Sequence, residues 1–191
     1  MSSAGSQDIH KGLDYELILH NVRLAALAER FPVVATGGTF DEIHVGHVAL
    51  LSSAFKAGRK VIIGVSSDEF ARKRGKKLNH NFNQRVENLR KMIIGEFGNA
   101  SYEIAKLDSD FGPAVTTGDI GALVASNETH SKGRLLNEMR AQRGLKPVEV
   151  IAVELVKAED GSPISSTRIR AGKIDNRGRL LKHRKGRINN L

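Results

Sequence analysis

The sequence predicts an α/β protein with a Rossmann-like parallel sheet and helices on both faces. Three observations support this class: short apolar strands alternate with amphipathic helices, glycines close two of the helices, and a glycine pair follows the first strand. In such sheets the strand–helix–strand connections are right-handed, and ligands bind beyond the carboxyl ends of the strands. We therefore expect the functional residues in the loops that follow the strands.

The predicted elements follow one another in a regular order. Residues 32–36 form an apolar strand that runs into the glycine pair, and residues 47–57 have helical apolar spacing that ends at Gly58. Residues 59–65 repeat the strand pattern, and residues 83–97 form a helix with one apolar face. The remaining predicted elements are strands at 101–107, 121–125 and 148–156, a helix at 131–143, and a short helix within 163–170.

Two segments flank the predicted main body of the chain, residues 32–175. An N-terminal extension, residues 1–31, contains apolar residues from Leu13 onwards at the spacing of an amphipathic helix, which Pro32 ends. Residues 176–191 form a basic C-terminal tail, which we expect to be disordered.

Composition bounds the function classes. The chain has 191 residues, of which 40% are apolar and 27% charged, as in one globular domain. It contains no cysteine, which excludes disulfides, thiolate zinc sites, iron–sulfur clusters and cysteine nucleophiles. No apolar run approaches a membrane span and the first residues lack an apolar signal core, so we expect a cytoplasmic protein without a membrane partner.

The net charge of +9 is unevenly distributed. Seven basic residues and one acidic residue lie between Lys173 and Leu191, so most of the excess belongs to the tail. The mildly basic remainder suits small polyanions. The tail alone favours nucleic acid, for which we expect only weak, salt-sensitive electrostatic binding.

The first motif is the stretch T-G-G-T-F-D-E-I-H-V-G-H, residues 36–47. Gly37 and Gly38 let backbone N–H groups approach an anion, and the following helix directs its N-terminal amides at the same place. His44 and His47 are three residues apart and lie on one side of the first helical turn. The loop suits a nucleoside triphosphate, whereas the alternatives are two surface histidines or a zinc pair that would need further ligands.

The second motif follows the last long strand, in the stretch P-I-S-S-T-R-I-R of residues 163–170. Ser165, Ser166 and Thr167 offer hydroxyls, and Arg168 offers a fixed positive charge for phosphate. Taken alone, the segment is more typical of an ordinary helix cap than of a phosphate site.

Together the two stretches resemble the HxGH motif and the second phosphate-binding motif of the nucleotidyltransferase superfamily. Four further stretches are similar to the archaeal and eukaryotic type of phosphopantetheine adenylyltransferase, and the resemblance covers about residues 33–175. These stretches are D-F-G-P-A at 110–114, A-L-V-A-S-N-E-T at 122–129, N-E-M-R-A-Q-R-G-L-K-P at 137–147 and A-E-D-G-S at 158–162.

The resemblance implies the nucleotidyltransferase fold and transfer of an adenylyl group from ATP to 4′-phosphopantetheine, giving dephospho-coenzyme A and pyrophosphate. It also assigns roles to residues of this sequence. His47 and Thr39 would contact the α-phosphate, and Gly37 and Gly38 would give backbone access. The β- and γ-phosphates would be held by His44, Ser165, Ser166, Thr167 and Arg168.

The metal expected from the resemblance is Mg²⁺, which arrives with ATP and keeps most of its waters, so no residue of the chain is assigned as a metal ligand. We expect Asp41 to fix the loop rather than to bind metal. Coenzyme A is a candidate inhibitor, and the oligomeric state is left open.

A lysine is expected at the attacking phosphate. In bacterial relatives this lysine lies nine residues before an arginine that opens a helix, which is the distance from Lys76 to Arg85. Lys73 and Lys77 are the alternates, and a solvated basic loop is the competing interpretation.

Three questions stay open at this level. A sister enzyme would share the phosphate motifs but act on nicotinamide mononucleotide, flavin mononucleotide or glycerol 3-phosphate, and a nucleic-acid-binding protein on the same fold is a further alternative. Asn137 and Arg140 either contact pantetheine or are exposed helix residues. Five histidines match no motif and are predicted at the surface: His10, His20, His80, His130 and His183.

Overall fold

The computed structural model describes residues 31–127 and 132–181. These residues form five strands, five α-helices and one 3₁₀ turn at Gly112–Val115. The strands are β1 (Phe31–Gly38), β2 (Gly58–Ser66), β3 (Tyr102–Leu107), β4 (Ile120–Ser126) and β5 (Glu149–Val153). The helices are α1 (Val45–Ala57), α2 (Asp68–Lys73), α3 (Phe82–Phe97), α4 (Lys132–Ala141) and α5 (Ser166–Arg170).

All five strands run parallel in the order β3-β2-β1-β4-β5. The chain therefore moves outward from β1 in one direction, to β2 and β3, and then crosses back to place β4 on the other side of β1. The carboxyl end of β1 lies at this reversal, where parallel sheets of this kind form a ligand crevice. The predicted fold class is confirmed.

Side chains that alternate along each strand divide the core between two faces of the sheet. Val34 and Ile63 pack with α1 and α3, through Leu51 and Leu89, while Val33 and its neighbours pack with α4 and the 3₁₀ turn on the opposite face. The register of β1 with β4 shifts between Val33 and Val34. Helices thus cover both faces, as the sequence predicts.

The structure adds elements that the sequence did not predict. The short helix α2 and the 3₁₀ turn are new, and β5 ends at Val153 rather than at residue 156. Phe31, which the sequence assigned to the N-terminal extension, is the first residue of β1. The rest of the predicted N-terminal helix lies outside the described residues. In the described ranges, no helix has both the length and the apolar character required to cross a bilayer.

The segment after α5 stays attached to the body beyond the expected boundary at Asp175. Ile174 pairs with Leu180 in an antiparallel bridge, and Gly178 carries its backbone close to Ile164 and Ala158. The carbonyl of Asn176 accepts a hydrogen bond of 3.1 Å from the N–H of Val45, the first residue of α1. This contact satisfies an amide at the start of α1 that has no partner within the helix. The tail beyond Leu181 lies outside the described residues.

Two glycines test how tightly the sheet and its helices pack. A methyl group at Gly58 would lie 2.7 Å from a carbon of the buried Val34, whereas one at Gly95, on the exposed side of α3, would meet nothing within 4 Å. We expect Gly58→Ala to lower the free energy of unfolding by about 1–3 kcal/mol through overpacking. Gly95→Ala should instead raise it by up to about 1 kcal/mol, because alanine favours the helix. Urea unfolding of both variants measures this, and equal effects would contradict the packing described.

Candidate active site

The loop after β1 forms one wall of a cavity of about 320 Å³ at the reversal in the sheet. The carboxyl ends of all five strands contribute to its lining. The lining includes Thr36, Gly37, Gly38, Thr39, His44, Gly46 and His47 from the first motif, Gly64 and Ser66 from β2, Leu107 from β3, Asp110 after β3, Ser126 from β4, and Glu154 after β5. The structure therefore brings seven residues of the first motif to one cavity.

The glycine pair is required by close backbone packing. A Cβ atom at Gly37 would lie 3.0 Å from the carbonyl oxygen of Gly64, and one at Gly38 would lie 3.1 Å from the ring of Phe40. Phe40 is fully buried and has a positive φ of 53°, a conformation that non-glycine residues adopt rarely. The centroid of its ring lies 4.9 Å from that of the His47 ring, so Phe40 packs against this histidine.

The two histidines form a stacked pair at the start of α1. Their ring centroids are 3.8 Å apart with an interplanar angle of 22°. The Nδ1 atom of His47 accepts a hydrogen bond of 3.3 Å from the backbone N–H of His44. Because an accepting nitrogen carries no proton in neutral imidazole, the proton of His47 sits on Nε2. His47 is thus a fixed N–H donor.

Burial keeps both imidazoles neutral. It lowers the pKa of His44 from 6.5 to about 4, and burial together with the neighbouring His44 lowers the pKa of His47 to about 3. The cavity therefore offers hydrogen-bond donors without fixed charge at its centre.

Positive charge lies instead on the wall formed after β2. Lys76 and Arg74 both line the cavity, and Arg74 stacks on the ring of Phe70 at 5.6 Å. The alternates differ from Lys76, because Lys73 pairs with Glu69 at 2.8 Å and neither Lys73 nor Lys77 belongs to the cavity lining. The structure thus places Lys76, of the three lysines, at the cavity.

A second charged cluster on this wall was missed in the sequence. Asp110, in the loop after β3, accepts from Lys132 at 3.2 Å and lies 3.7 Å from Arg74. All three side chains line the cavity. They come from three separate segments, after β2, after β3 and at the start of α4, so no local spacing could have found them.

The second motif forms α5 beside the first, and its polar groups are engaged within the protein. Ser165 caps the helix by accepting from the N–H of Arg168, and the Ser166 hydroxyl donates to the carbonyl of Glu42 at 3.2 Å. Thr167 accepts from Arg170, and Arg168 forms an ion pair with Asp160. In the cavity lining this motif is represented by Ile164.

Asp41 holds the loops together. Its buried carboxylate accepts from the backbone N–H groups of Asn79 and His80 at 3.0–3.1 Å, and from Arg170 at 2.9 Å. It thereby joins the loop after β1 to the segment before α3 and to α5. With Glu42 and His80 it is a cluster of possible metal ligands, but these hydrogen bonds already occupy its oxygens.

Three predicted placements were wrong. Arg140 is neither exposed nor available to pantetheine, because it is fully buried and donates to four carbonyl groups. Asn137 exchanges hydrogen bonds of 2.8 and 3.0 Å with the backbone of Val148 and is likewise structural. His80 is half-buried beside Asp41 instead of lying at the surface. The other four histidines without a motif lie outside the described residues.

Comparisons with known proteins show similarity over most of the chain. The cytidylyltransferase-like family matches residues 35–172. The chain is similar to a phosphopantetheine adenylyltransferase of Methanothermobacter thermautotrophicus, with 40% identity over 162 residues that cover 85% of this chain and 97% of the relative. A second such enzyme, from Thermococcus gammatolerans, is 41% identical over 78% of this chain and 94% of its own length.

Among solved structures, the chain is similar to a protein of unknown function from Archaeoglobus fulgidus. The sequence identity is 33% and the TM-score is 0.57, over 63% of this chain and 97% of that structure. The likeness therefore extends over nearly all of the smaller protein.

The neutral histidine pair makes stability depend on pH. Because their pKa values are lower in the folded than in the unfolded chain, unfolding takes up protons as the pH falls from 6.5 towards 4. The two neutral imidazoles therefore cost no stability above pH 6.5, and the free energy of unfolding falls as the pH is lowered. For His44 alone, the free energy of unfolding should fall by about 2 kcal/mol between pH 6.5 and 5. Urea unfolding at both pH values measures the loss. His44→Gln and His47→Gln should each flatten the dependence, and an unchanged slope in both would contradict it.

Proposed function

Because the chain belongs to the cytidylyltransferase-like family, in the group that includes the archaeal phosphopantetheine adenylyltransferases, we propose that it catalyses adenylyl transfer from Mg-ATP to 4′-phosphopantetheine. The products are dephospho-coenzyme A and pyrophosphate. The observation that carries the proposal is the stacked, neutral histidine pair at the centre of the cavity, next to the glycine pair at the end of β1.

The reaction makes modest chemical demands on the protein. The acceptor phosphate is already an anionic nucleophile at neutral pH, so the site needs no general base. It has to align two phosphates and stabilise the charge that develops around the α-phosphorus. Fixed donors in a partly enclosed cavity meet this demand.

His47 and Thr39 are assigned to the α-phosphate. The Nε2–H of His47 is held in one tautomer by the bond from the His44 backbone, so it can donate without reorganising. Thr39 follows the glycine pair on the same wall, and its hydroxyl is a second donor. Backbone N–H groups near Gly37 and Gly38 can approach the phosphates closely because no side chain intervenes.

The departing pyrophosphate is assigned to His44 and to the second motif, with Ser165, Ser166, Thr167 and Arg168. Two contacts support the proximity of the motifs, namely Ser166 to the carbonyl of Glu42 and Arg170 to Asp41. Arg168 is paired with Asp160, so binding of the β- and γ-phosphates would exchange this carboxylate for a phosphate.

Magnesium belongs to the substrate in this proposal. The only described cluster of possible ligands, Asp41 with Glu42 and His80, has its buried carboxylate occupied by Arg170 and two backbone amides. These residues do not favour a resident ion. A magnesium ion bound to the triphosphate would keep its waters and neutralise part of its charge.

The acceptor distinguishes this proposal from a sister enzyme. Pyrophosphate release from Mg-ATP should be measured with each acceptor in turn: 4′-phosphopantetheine, nicotinamide mononucleotide, flavin mononucleotide and glycerol 3-phosphate. We expect release with phosphopantetheine, accompanied by dephospho-coenzyme A. Release with another acceptor alone would overturn the proposed substrate. Inhibition by coenzyme A and a cytoplasmic location remain predictions from the sequence.

His47→Ala should lower kcat by about 10²–10³-fold, the usual effect of removing one donor to developing charge. Mg-ATP affinity should change much less, because the interaction strengthens in the transition state. His47→Gln, which keeps an N–H at similar reach, should retain more activity than alanine. Steady-state kinetics with both substrates measures these effects, and a near-normal kcat in the alanine variant would remove His47 from the mechanism.

Lys76→Ala should raise the KM for phosphopantetheine and lower kcat, with the KM for ATP little changed. Two phosphates about 5 Å apart repel each other by about 3 kcal/mol at an effective dielectric of ~20, and an ammonium between them offsets this. Lys76→Arg should recover only part of the loss, because a planar fork does not replace a point charge.

Lys77→Ala is the matched control, since Lys77 is the adjacent exposed lysine outside the cavity lining. It should behave almost like the unmodified enzyme. If Lys77→Ala proved the more damaging change, the spacing argument would be off by one position. Two mild variants would favour the solvated basic loop.

A further inference from the structure

A buried guanidinium lies behind the loop that carries Thr39. Arg85, in the first turn of α3, is fully buried and donates to three groups from two other segments. Nη1 donates to the carbonyl of Thr39, and Nη2 donates to the carbonyl of Ser66 and to Asp68, both at 2.7 Å. Neither the catalytic roles assigned above nor the two phosphate motifs include this residue.

Ser66 reinforces the same arrangement. Its buried hydroxyl donates to the carbonyl of Gly38 at 3.4 Å. Both carbonyls at the end of the glycine pair, those of Gly38 and Thr39, therefore have partners from β2 or α3. In a planar trans peptide the following N–H points opposite to the carbonyl. The bonds thus also fix the direction of the N–H groups of Thr39 and Phe40.

We propose that Arg85 is a positioning residue for the phosphate-binding loop, setting the Thr39 peptide and thereby the donors that face the transferred phosphate. The proposal rests on the proposed adenylyl transfer. Arg85 does not touch substrate, because its side chain is fully buried and is absent from the cavity lining. It acts through Thr39, which lines the cavity.

The charge of Arg85 is balanced on the side away from Thr39. The carboxylate of Asp68 accepts a hydrogen bond of 2.7 Å from Nη2 of Arg85 and another of 3.2 Å from the backbone N–H of Phe82. Although partial burial works in the opposite direction, these hydrogen bonds and the charges of Arg85 and Arg72 hold the pKa of Asp68 below its usual value. The ion pair anchors one end of the guanidinium, so its other end can hold the Thr39 carbonyl in a single position.

The test uses Arg85→Lys, which keeps the positive charge but lacks the planar fork that reaches both carbonyls and Asp68. We expect kcat to fall by about 10–100-fold, as displacement of reacting groups by about 1 Å does. The dissociation constant of Mg-ATP, titrated by calorimetry without acceptor, should rise several-fold. The KM for phosphopantetheine should stay within about twofold, because Lys76 and the acceptor wall are unchanged.

Arg140→Lys is the matched control. Arg140 is equally buried and also donates to backbone carbonyls, but these belong to residues 114–120 and 146, outside the loop after β1. Both variants should lose thermal stability. Measured well below both melting temperatures, Arg140→Lys should keep its kcat and its Mg-ATP affinity.

Ser66→Ala keeps the test decisive if Arg85→Lys does not fold. It removes the hydrogen bond to the Gly38 carbonyl, together with a hydroxyl at the cavity lining, and leaves no buried charge unpaired, so kcat should fall in the same direction by a smaller factor. Normal kcat and normal Mg-ATP affinity in Arg85→Lys would overturn the proposal. Equal losses of kcat and Mg-ATP affinity in Arg85→Lys and Arg140→Lys would overturn it as well. If Arg85→Lys does not fold, a fully active Ser66→Ala would have the same consequence.

The failure of the proposed function would look different. If the unmodified protein transferred adenylyl to none of the acceptors, the substrate assignment would fall. The Mg-ATP titration would still separate Arg85→Lys from Arg140→Lys, because nucleotide binding requires no acceptor.

Discussion

Buried peptide groups at the last residue of a strand, or just beyond it, need hydrogen-bond partners that the sheet no longer provides, and this requirement determines how the site after β1 is built. The carbonyls of Gly38, Thr39 and Ser66 all lie at this position. Ser66 and Arg85 satisfy them from neighbouring elements. The shape of the loop is therefore imposed largely by α3 and β2, and less by the loop's own sequence.

Asp41, in the loop after β1, supplies the acceptors that unpaired backbone N–H groups need. Asp41 satisfies backbone N–H groups before α3 and pairs with Arg170 of α5, so one buried oxygen pair joins segments far apart in the chain. Asn176 adds a carbonyl at the start of α1. These ties bring the two phosphate motifs side by side, although each motif by itself encodes only a turn and a helix cap.

Local patterns predicted most of the fold and part of the site. Apolar periodicity located the five strands and the helices α1, α3 and α4, because each buries a continuous face. The six-residue helix α2 escaped because it is short and mostly polar, and its last two residues begin the basic run of residues 72–77. Loop motifs placed Gly37, Thr39, His44 and His47 together correctly, since these residues are close in sequence.

Buried arginines could not be predicted in the same way. Basic residues on a helix are usually solvated, and nothing near Arg85 or Arg140 in the sequence marks them as exceptions. Their partners are distant, at 46 residues from Arg85 to Thr39 and 26 from Arg140 to Ala114. The same holds for Asp110, whose basic neighbours Arg74 and Lys132 come from other segments of the chain. Such pairs become visible only once the strand order is known.

The electrostatics of the cavity separate recruitment of substrate from chemistry. In the proposed reaction, the cations of Lys76, Arg74 and Lys132 on the cavity wall would attract phosphates. The centre holds imidazoles that desolvation keeps neutral. A fixed charge there would bind the triphosphate strongly before reaction as well as during it, which lowers KM without raising kcat. Neutral, preoriented N–H donors gain most when negative charge builds up on the α-phosphate, so placing them at the centre favours the transition state over bound ATP.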